Sequence, residues 1–233
     1  MNWELLGVFL LLMLVVIPVL AGAFVLLLRT FRTEGRRRRR AREYARRAGW
    51  VFAPSQPELG AEYFGIPPFT SGTRPQFDDV IHHTDGRYQG HSFDFSFGIG
   101  PKGREYRHYQ HVVTLLLPAT LPPMSLRPQY ATDSLGVALG LQDIHLESEE
   151  FNRTWLVRGA SRAAVHDVLH PRAMNWFMEP RNRNLTFGIS GRYLFVCLPG
   201  RQHVERIPDV ANRLVEFADL IPSFVWDKAR GRG

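Results

Sequence analysis

Nine histidines make a metal centre the first chemistry to test. His166 and His170 stand four apart, the spacing that sets two imidazoles on one helix face. No Glu follows His166 directly, as the zinc-protease pattern requires, and Pro171 marks His170 as a residue that starts a helix. The two rings therefore need not share a face. His82-His83 and the run His108-Tyr109-Gln110-His111 fall on expected strand and loop, where neighbouring side chains point apart. A metal site needs three or four convergent ligands, so these histidines read as surface or partly buried residues.

Other chemistries meet similar objections. Asp78-Asp79 and Glu147, Glu149 and Glu150 cluster in sequence, but nothing in their flanks supplies the apolar pocket that raises a general acid's pKa. Gly98-Ile99-Gly100-Pro101-Lys102-Gly103 lacks the Gly-Lys-Ser/Thr ending of a phosphate loop and reads as a turn. Cys197 lies in an apolar stretch and reads as a buried, inert thiol. Arg104 to Arg107, with Tyr106, His108 and Tyr109, could stack on nucleobases, but a hairpin loop is the commoner meaning. No catalytic, cofactor-binding or metal-binding residue is assigned, and no cofactor is expected. A rival reading keeps a membrane-tethered enzyme in play, with His82, His108, His111 and Asp143 as its candidates.

The elements that must position these residues are mostly strands, then helices. Asp79 to Thr84 and Arg87 to Phe97 flank Asp85-Gly86, a turn pair suited to a hairpin. Phe93, Phe95 and Phe97 alternate with Ser92, Asp94 and Ser96, giving one apolar and one polar face. His111 to Leu117 predicts a further strand, ending before Pro118, Pro122 and Pro123. Second and third hairpins are expected from Ile144–Glu147 to Trp155–Val157, and from Asn184–Ile189 to Arg192–Leu198 across Ser190-Gly191. Pro54 to Pro75 reads as loop with one helical turn near Glu58 to Tyr63. Ser161 caps a helix to about Leu169, His170-Pro171 opens another through Phe177, and Pro208 opens a last one with Val210, Leu214, Phe217, Ala218 and Ile221 as its stripe. Clustered strands followed by helices predict an α+β fold, an antiparallel-sheet domain with helices in the C-terminal half.

The opening of the chain decides where this domain sits. Leu5 to Leu28 is an apolar run of 24 residues without a charge. At about 1.5 Å per residue it reaches roughly 36 Å, enough to cross a hydrocarbon layer of about 30 Å as a transmembrane helix. Pro18 inside it is tolerable in a span. Ten arginines follow between Arg29 and Arg47 against Glu34 and Glu43. Positive charge flanks the cytoplasmic end of a span, so the N-terminus is expected outside and the domain inside. A cleaved signal peptide would place its charge before a shorter core. Past Arg47 the chain carries 19 basic and 19 acidic residues. The overall charge of +7 is thus a collar, which argues for anionic lipid and against a nucleic-acid partner. Gly35 is expected to break the helix, with a short basic helix from Arg36 to Arg47 ended by Gly49. The lone cysteine permits no intrachain disulfide, and Asn152-Arg153-Thr154 and Asn184-Leu185-Thr186 would be idle glycosylation patterns in the cytoplasm.

Several strings carry a resemblance. Ala45-Arg46-Arg47-Ala48-Gly49-Trp50 follows the span, Glu149-Glu150-Phe151-Asn152-Arg153 leads into Trp155-Leu156-Val157, then come Leu169-His170-Pro171-Arg172-Ala173-Met174 and Pro222-Ser223-Phe224-Val225-Trp226. Together they resemble a family of bacterial, chiefly actinobacterial, single-pass membrane proteins with a cytoplasmic domain of unknown function. The resemblance implies topology and a shared fold, and no catalytic residue or ligand. The organisation expected is residues 1–28 as transmembrane anchor, 29–47 as basic juxtamembrane segment and 48–229 as cytoplasmic domain. Arg29, Arg32, Arg36, Arg37, Arg38, Arg39, Arg40 and Arg42 are expected to contact the anionic inner leaflet of the cell membrane. The domain is expected to serve as an interaction or scaffold module with a protein partner.

Overall fold

The apolar run and the arginine segment lie on one uninterrupted helix, α1 (Trp3–Arg47), in the computed structural model. The structure describes residues 3–63, 68–84, 88–101, 104–129 and 141–231, with only the backbone at 3–12, 15 and 25–32. Gly35 does not break α1, since a lone glycine costs a helix only about 1 kcal/mol. The helix stops at Gly49, whose φ of 72° is open to glycine. Trp50 N donates to Ala45 O at 2.8 Å and Gly49 N to Arg46 O at 3.3 Å, the paired bonds that close a helix C-terminus. Most side chains of Leu5 to Leu28 lie outside the described residues; among those described, no helix is long and apolar enough to cross a membrane. The chain divides into two compact units, Met1–Tyr44 and Ala45–Gly233.

The second unit is α+β. Among the described residues its strands are β1 (Val51–Ser55), β2 (Thr73–Thr84), β3 (Gln89–Ile99), β4 (Tyr106–Pro128), β5 (Gln142–Asp143), β6 (Trp155–Gly159) and β7 (Thr186–Pro199). All pair antiparallel, in the order β1-β2-β3-β4-β6-β5, with β7 also on β4. The helices are α2 (Leu59–Glu62), α3 (Glu149–Thr154), α4 (Arg162–Val168), α5 (Pro171–Met178), α6 (Ile207–Leu220) and α7 (Ser223–Ala229).

Strand β4 departs most from expectation. Instead of ending before Pro118 it runs 23 residues to Pro128, and the ladder shifts register between Leu116 and Met124 to accommodate the prolines. Proline cannot donate to a ladder and is tolerated at such irregularities. Its partner β7 does not turn back at Ser190-Gly191. It continues as one 14-residue strand, with Gly191 at φ 58° opposite Leu121 in the irregular stretch. The expected third hairpin is thus a bend in a single strand. The expected second hairpin forms with an earlier and shorter first strand: β5 pairs antiparallel with β6, Ile144 N donates to Val157 O at 2.9 Å, and α3 occupies the connection. The Asp85-Gly86 turn lies outside the described residues.

Both sheet faces are covered. One carries Val113, Leu115, Leu194, Val196 and Leu198 and packs with Trp176, Phe177, Leu214 and Phe217 of α5 and α6. Phe177 lies 4.9 Å from Phe187 and 4.8 Å from Phe217, ring centre to ring centre. The other carries Phe93, Phe95, Phe97, Val112 and Phe195 under Tyr63, Phe69 and Phe77. Helix starts follow the sequence: Ser161 Oγ accepts from Ala164 N at 3.3 Å, and His170 precedes Pro171 at the opening of α5. Helix α7 follows the helix expected to be last.

A glycine fixes how closely β3 approaches β4 at the end of the β2–β3 hairpin. A Cβ on Gly90 would fall 1.9 Å from the Thr114 carbonyl oxygen, which is backbone and cannot step aside cheaply. Gly90→Ala is expected to cost about 1–3 kcal/mol, read as a lower urea midpoint by tryptophan fluorescence; an unchanged midpoint would mean the strands separate freely there.

Candidate functional site

The β2–β3 pairing places His82 directly opposite His91, with their rings 4.7 Å apart and edge to face. Residues opposite one another in a ladder share a sheet face. Tyr63, at the end of α2, lies under this pair. Its hydroxyl is 2.8 Å from His91 Nδ1 and donates to Thr114 Oγ1 at 3.1 Å, while His91 N donates to the same Oγ1 at 2.9 Å. With the Tyr63 proton used on Thr114, neutral His91 carries its own proton on Nδ1 and leaves Nε2 as acceptor. His82 Nε2 meets Gln56 Oε1 at 2.8 Å. Burial, and secondarily the His82 charge, lower the His91 pKa to about 4. Burial, then a hydrogen bond to Glu62, pushes neighbouring Tyr193 up to about 12. Both groups are neutral at pH 7.

Two cavities open here. A smaller one of about 270 Å³ is lined by Trp50, Val51, His82, His83, His91 and Tyr193 among others; the Trp50 indole donates to Thr84 O at 3.1 Å. A larger cleft of about 670 Å³ lies between β4 and the α6–α7 corner, lined by Tyr88, Leu116, Pro118, Arg192, Asp219 and Trp226 among others. Gln89 and Leu116 line both. In the larger cleft Tyr88 Oη donates to Asp219 Oδ1 at 2.6 Å. Arg192 reaches the Leu117 carbonyl through Nε at 3.4 Å and Nη2 at 3.3 Å.

The candidates for an enzyme are not brought together. His82 lines the smaller cavity. His108 and His111 are three apart on β4 and so face opposite sides. His108 packs 5.2 Å from Phe97, and burial lowers its pKa. Asp143 is on β5, in an ion pair with Arg158 at 2.7 Å. His170 Nε2 bonds Leu220 O at 2.9 Å and shares no ligand set with His166 on α4. Among the described residues no group of three or more His, Cys, Asp or Glu could hold a metal ion. His111 is buried with its Nε2 2.8 Å from Ser92 Oγ, which also accepts from Gln202 Nε2 at 2.9 Å. The Gln202 backbone N–H donates to Asp94, and Arg201 lies 3.5 Å from the same carboxylate. The polar face of β3 is therefore buried beneath this loop rather than solvated. Ser92, Asp94 and His111 are each at most 1% exposed, so this serine–histidine pair meets no substrate and pins the loop to the sheet.

Of the expected lipid-contact residues, Arg36, Arg38, Arg39, Arg40 and Arg42 are exposed on α1. Arg37 is half-buried and pairs with Glu34 at 2.8 Å, with Arg38 3.9 Å from the same carboxylate. The side chains of Arg29 and Arg32 lie outside the described residues. Sequence reading missed His91 and Arg192 as cavity residues and Tyr63 as the buried partner of His91. Strand alternation aligned His82 with His91 only once the register was known.

The chain matches no family model and no curated protein. Its fold is similar to a solved structure, the crystal structure of the mycobacterial trehalose monomycolate transport factor A, TtfA. The TM-score is 0.59 at 11% identity, covering 78% of this chain and 93% of that one. The likeness shows a shared fold.

The imidazole pair makes stability depend on pH. His91 binds a proton more weakly in the folded chain, at about 4, than in the unfolded chain, at about 6.5. Between those values the unfolded chain takes up more protons, so stability is full above pH 6.5 and is lost as pH falls towards 4. Comparing the chain with His91→Gln by urea unfolding across that window, the histidine form should lose on the order of 2 kcal/mol more. Parallel pH profiles would contradict it.

Proposed function

We propose that this chain is a non-enzymatic accessory protein of the cell membrane. A single N-terminal span (residues 1–28) places the N-terminus outside, and the domain at 48–229 serves as an interaction or scaffold module at the inner surface. One observation carries the reading: the chargeless run of 24 residues and ten arginines occupy a single unbroken helix. At about 1.5 Å per residue, α1 is about 68 Å long, roughly twice the thickness of a hydrocarbon layer. A span from Leu5 to Leu28 would leave the arginine part just beyond it, on the side where positive charge collects. There Arg29, Arg32, Arg36–Arg40 and Arg42 meet anionic headgroups, each contributing about 1 kcal/mol before screening.

Three further points support a binding role. The enzyme candidates His82, His108, His111 and Asp143 are spread over separate elements and opposite sheet faces, and His82, His83 and His91 are the histidines that line the smaller cavity. The domain after the collar is charge-balanced, which suits a protein partner better than a nucleic acid. TtfA, whose fold this domain resembles, is by name a transport factor, and an accessory role in transport at the membrane is the corresponding role here.

Orientation tests this reading. Replacing Arg36–Arg40 with glutamate removes the positive flank, so a C-terminal reporter should move from cytoplasmic to mixed or external signal. A reporter that stays cytoplasmic would separate topology from the collar, and digestion of the native domain by protease outside intact cells would end the proposal.

A further inference from the structure

The two cavities of the Ala45–Gly233 unit adjoin at Gln89 and Leu116 and together make an elongated, open trough. Its walls are mixed: Leu116, Pro118, Ile221 and Trp226 make the larger part mainly apolar, while Trp50 and Val51 share the smaller with His82, His83, His91 and Tyr193. Val51, 65% exposed, lines the small cavity, and Phe224, 53% exposed, stands on α7 between two residues that line the large one.

Charge specifies the occupant further. Arg192 is exposed, and among the described residues its guanidinium bonds only the Leu117 carbonyl, at long distance. Among the described residues Asp219 is the one acid lining the trough, and it already accepts the Tyr88 hydroxyl. A carboxylate arriving beside Arg192 would gain a bidentate, charge-assisted partner. A lone acyl chain would leave the guanidinium, Tyr88 and Gln89 facing hydrocarbon, which is unfavourable. Unequal adjoining cavities match an extended peptide, whose alternate side chains enter successive pockets.

We infer that this trough docks an extended segment of a partner protein, with apolar anchors in the two cavities and an acidic residue on Arg192 in the larger one. This rests on reading the domain as an interaction module and names the chemistry of its partner. Phe224 and Val51 then form the apolar rims, and Arg192 selects the segment's charge.

The test uses the full chain in nanodiscs of zwitterionic phosphatidylcholine and a short fluorescent peptide in which glutamates flank a tryptophan and a leucine. Because the arginine collar attracts any acidic peptide, the reading is the difference between native chain and Arg192→Glu. Charge reversal should weaken binding about tenfold or more, Phe224→Ser should weaken it several-fold, and a lysine version of the peptide should regain affinity for Arg192→Glu. Equal affinity of native chain and Arg192→Glu for the glutamate peptide overturns the inference, as does absence of peptide binding. Arg192-dependent binding of oleate in place of peptide reassigns the trough to lipid and overturns it too. Membrane orientation, read separately by the reporter, is untouched by any of these results, so the two ideas can fail independently.

Discussion

The ladder between β4 and β7 is the interaction on which the domain depends. β4 pairs with β3 through Tyr106–Val113, with β6 through Met124–Pro128 and with β7 along Gln110–Leu126. Every other strand of the sheet reaches the core through one of those edges. Such a strand must stay continuous across its prolines, and it does so by slipping register opposite Gly191 rather than by breaking. The bend lets one strand serve two stretches of sheet. Loss of that ladder would leave the aromatic cluster around Phe177 and the cluster around Phe93 without a common wall.

Burial of polar groups follows from the same geometry. With helices on one face and the α2 segment on the other, β3 has no solvent side, so Ser92 and Asp94 must find partners within the protein. They find His111 and Gln202. On the opposite face of the same strand, His91, next to Ser92, meets Tyr63, Thr114 and His82. The first set is sealed and structural, while the second borders a cavity. Tyr193 and Leu116 come to that border from the central ladder, where Leu116 faces Tyr193, and Arg192 lines the adjoining larger cleft.

Signals with a short-range cause are legible in the amino-acid order alone. Ser161 and His170-Pro171 mark helix starts because capping and proline's missing N–H act within a few residues. The Phe93–Phe95–Phe97 alternation marks a strand for the same reason. Gly35, Pro118 and Ser190-Gly191 mislead because their local preference is overruled, by helix continuity in the first case and by the ladder in the others. The alternation along β3 shows one apolar and one polar face and not what covers each of them.

The sequence by itself determined the chargeless run, the arginine collar, the neutral remainder and an α+β order of elements, since each depends on neighbours along the chain. Tertiary structure alone decided that His82 meets His91, that His108, His111 and Asp143 stay apart, and that Arg192 lies in a cleft with Asp219 and Trp226. Those outcomes depend on strand register and helix packing, where one residue of slip moves a side chain to the opposite face.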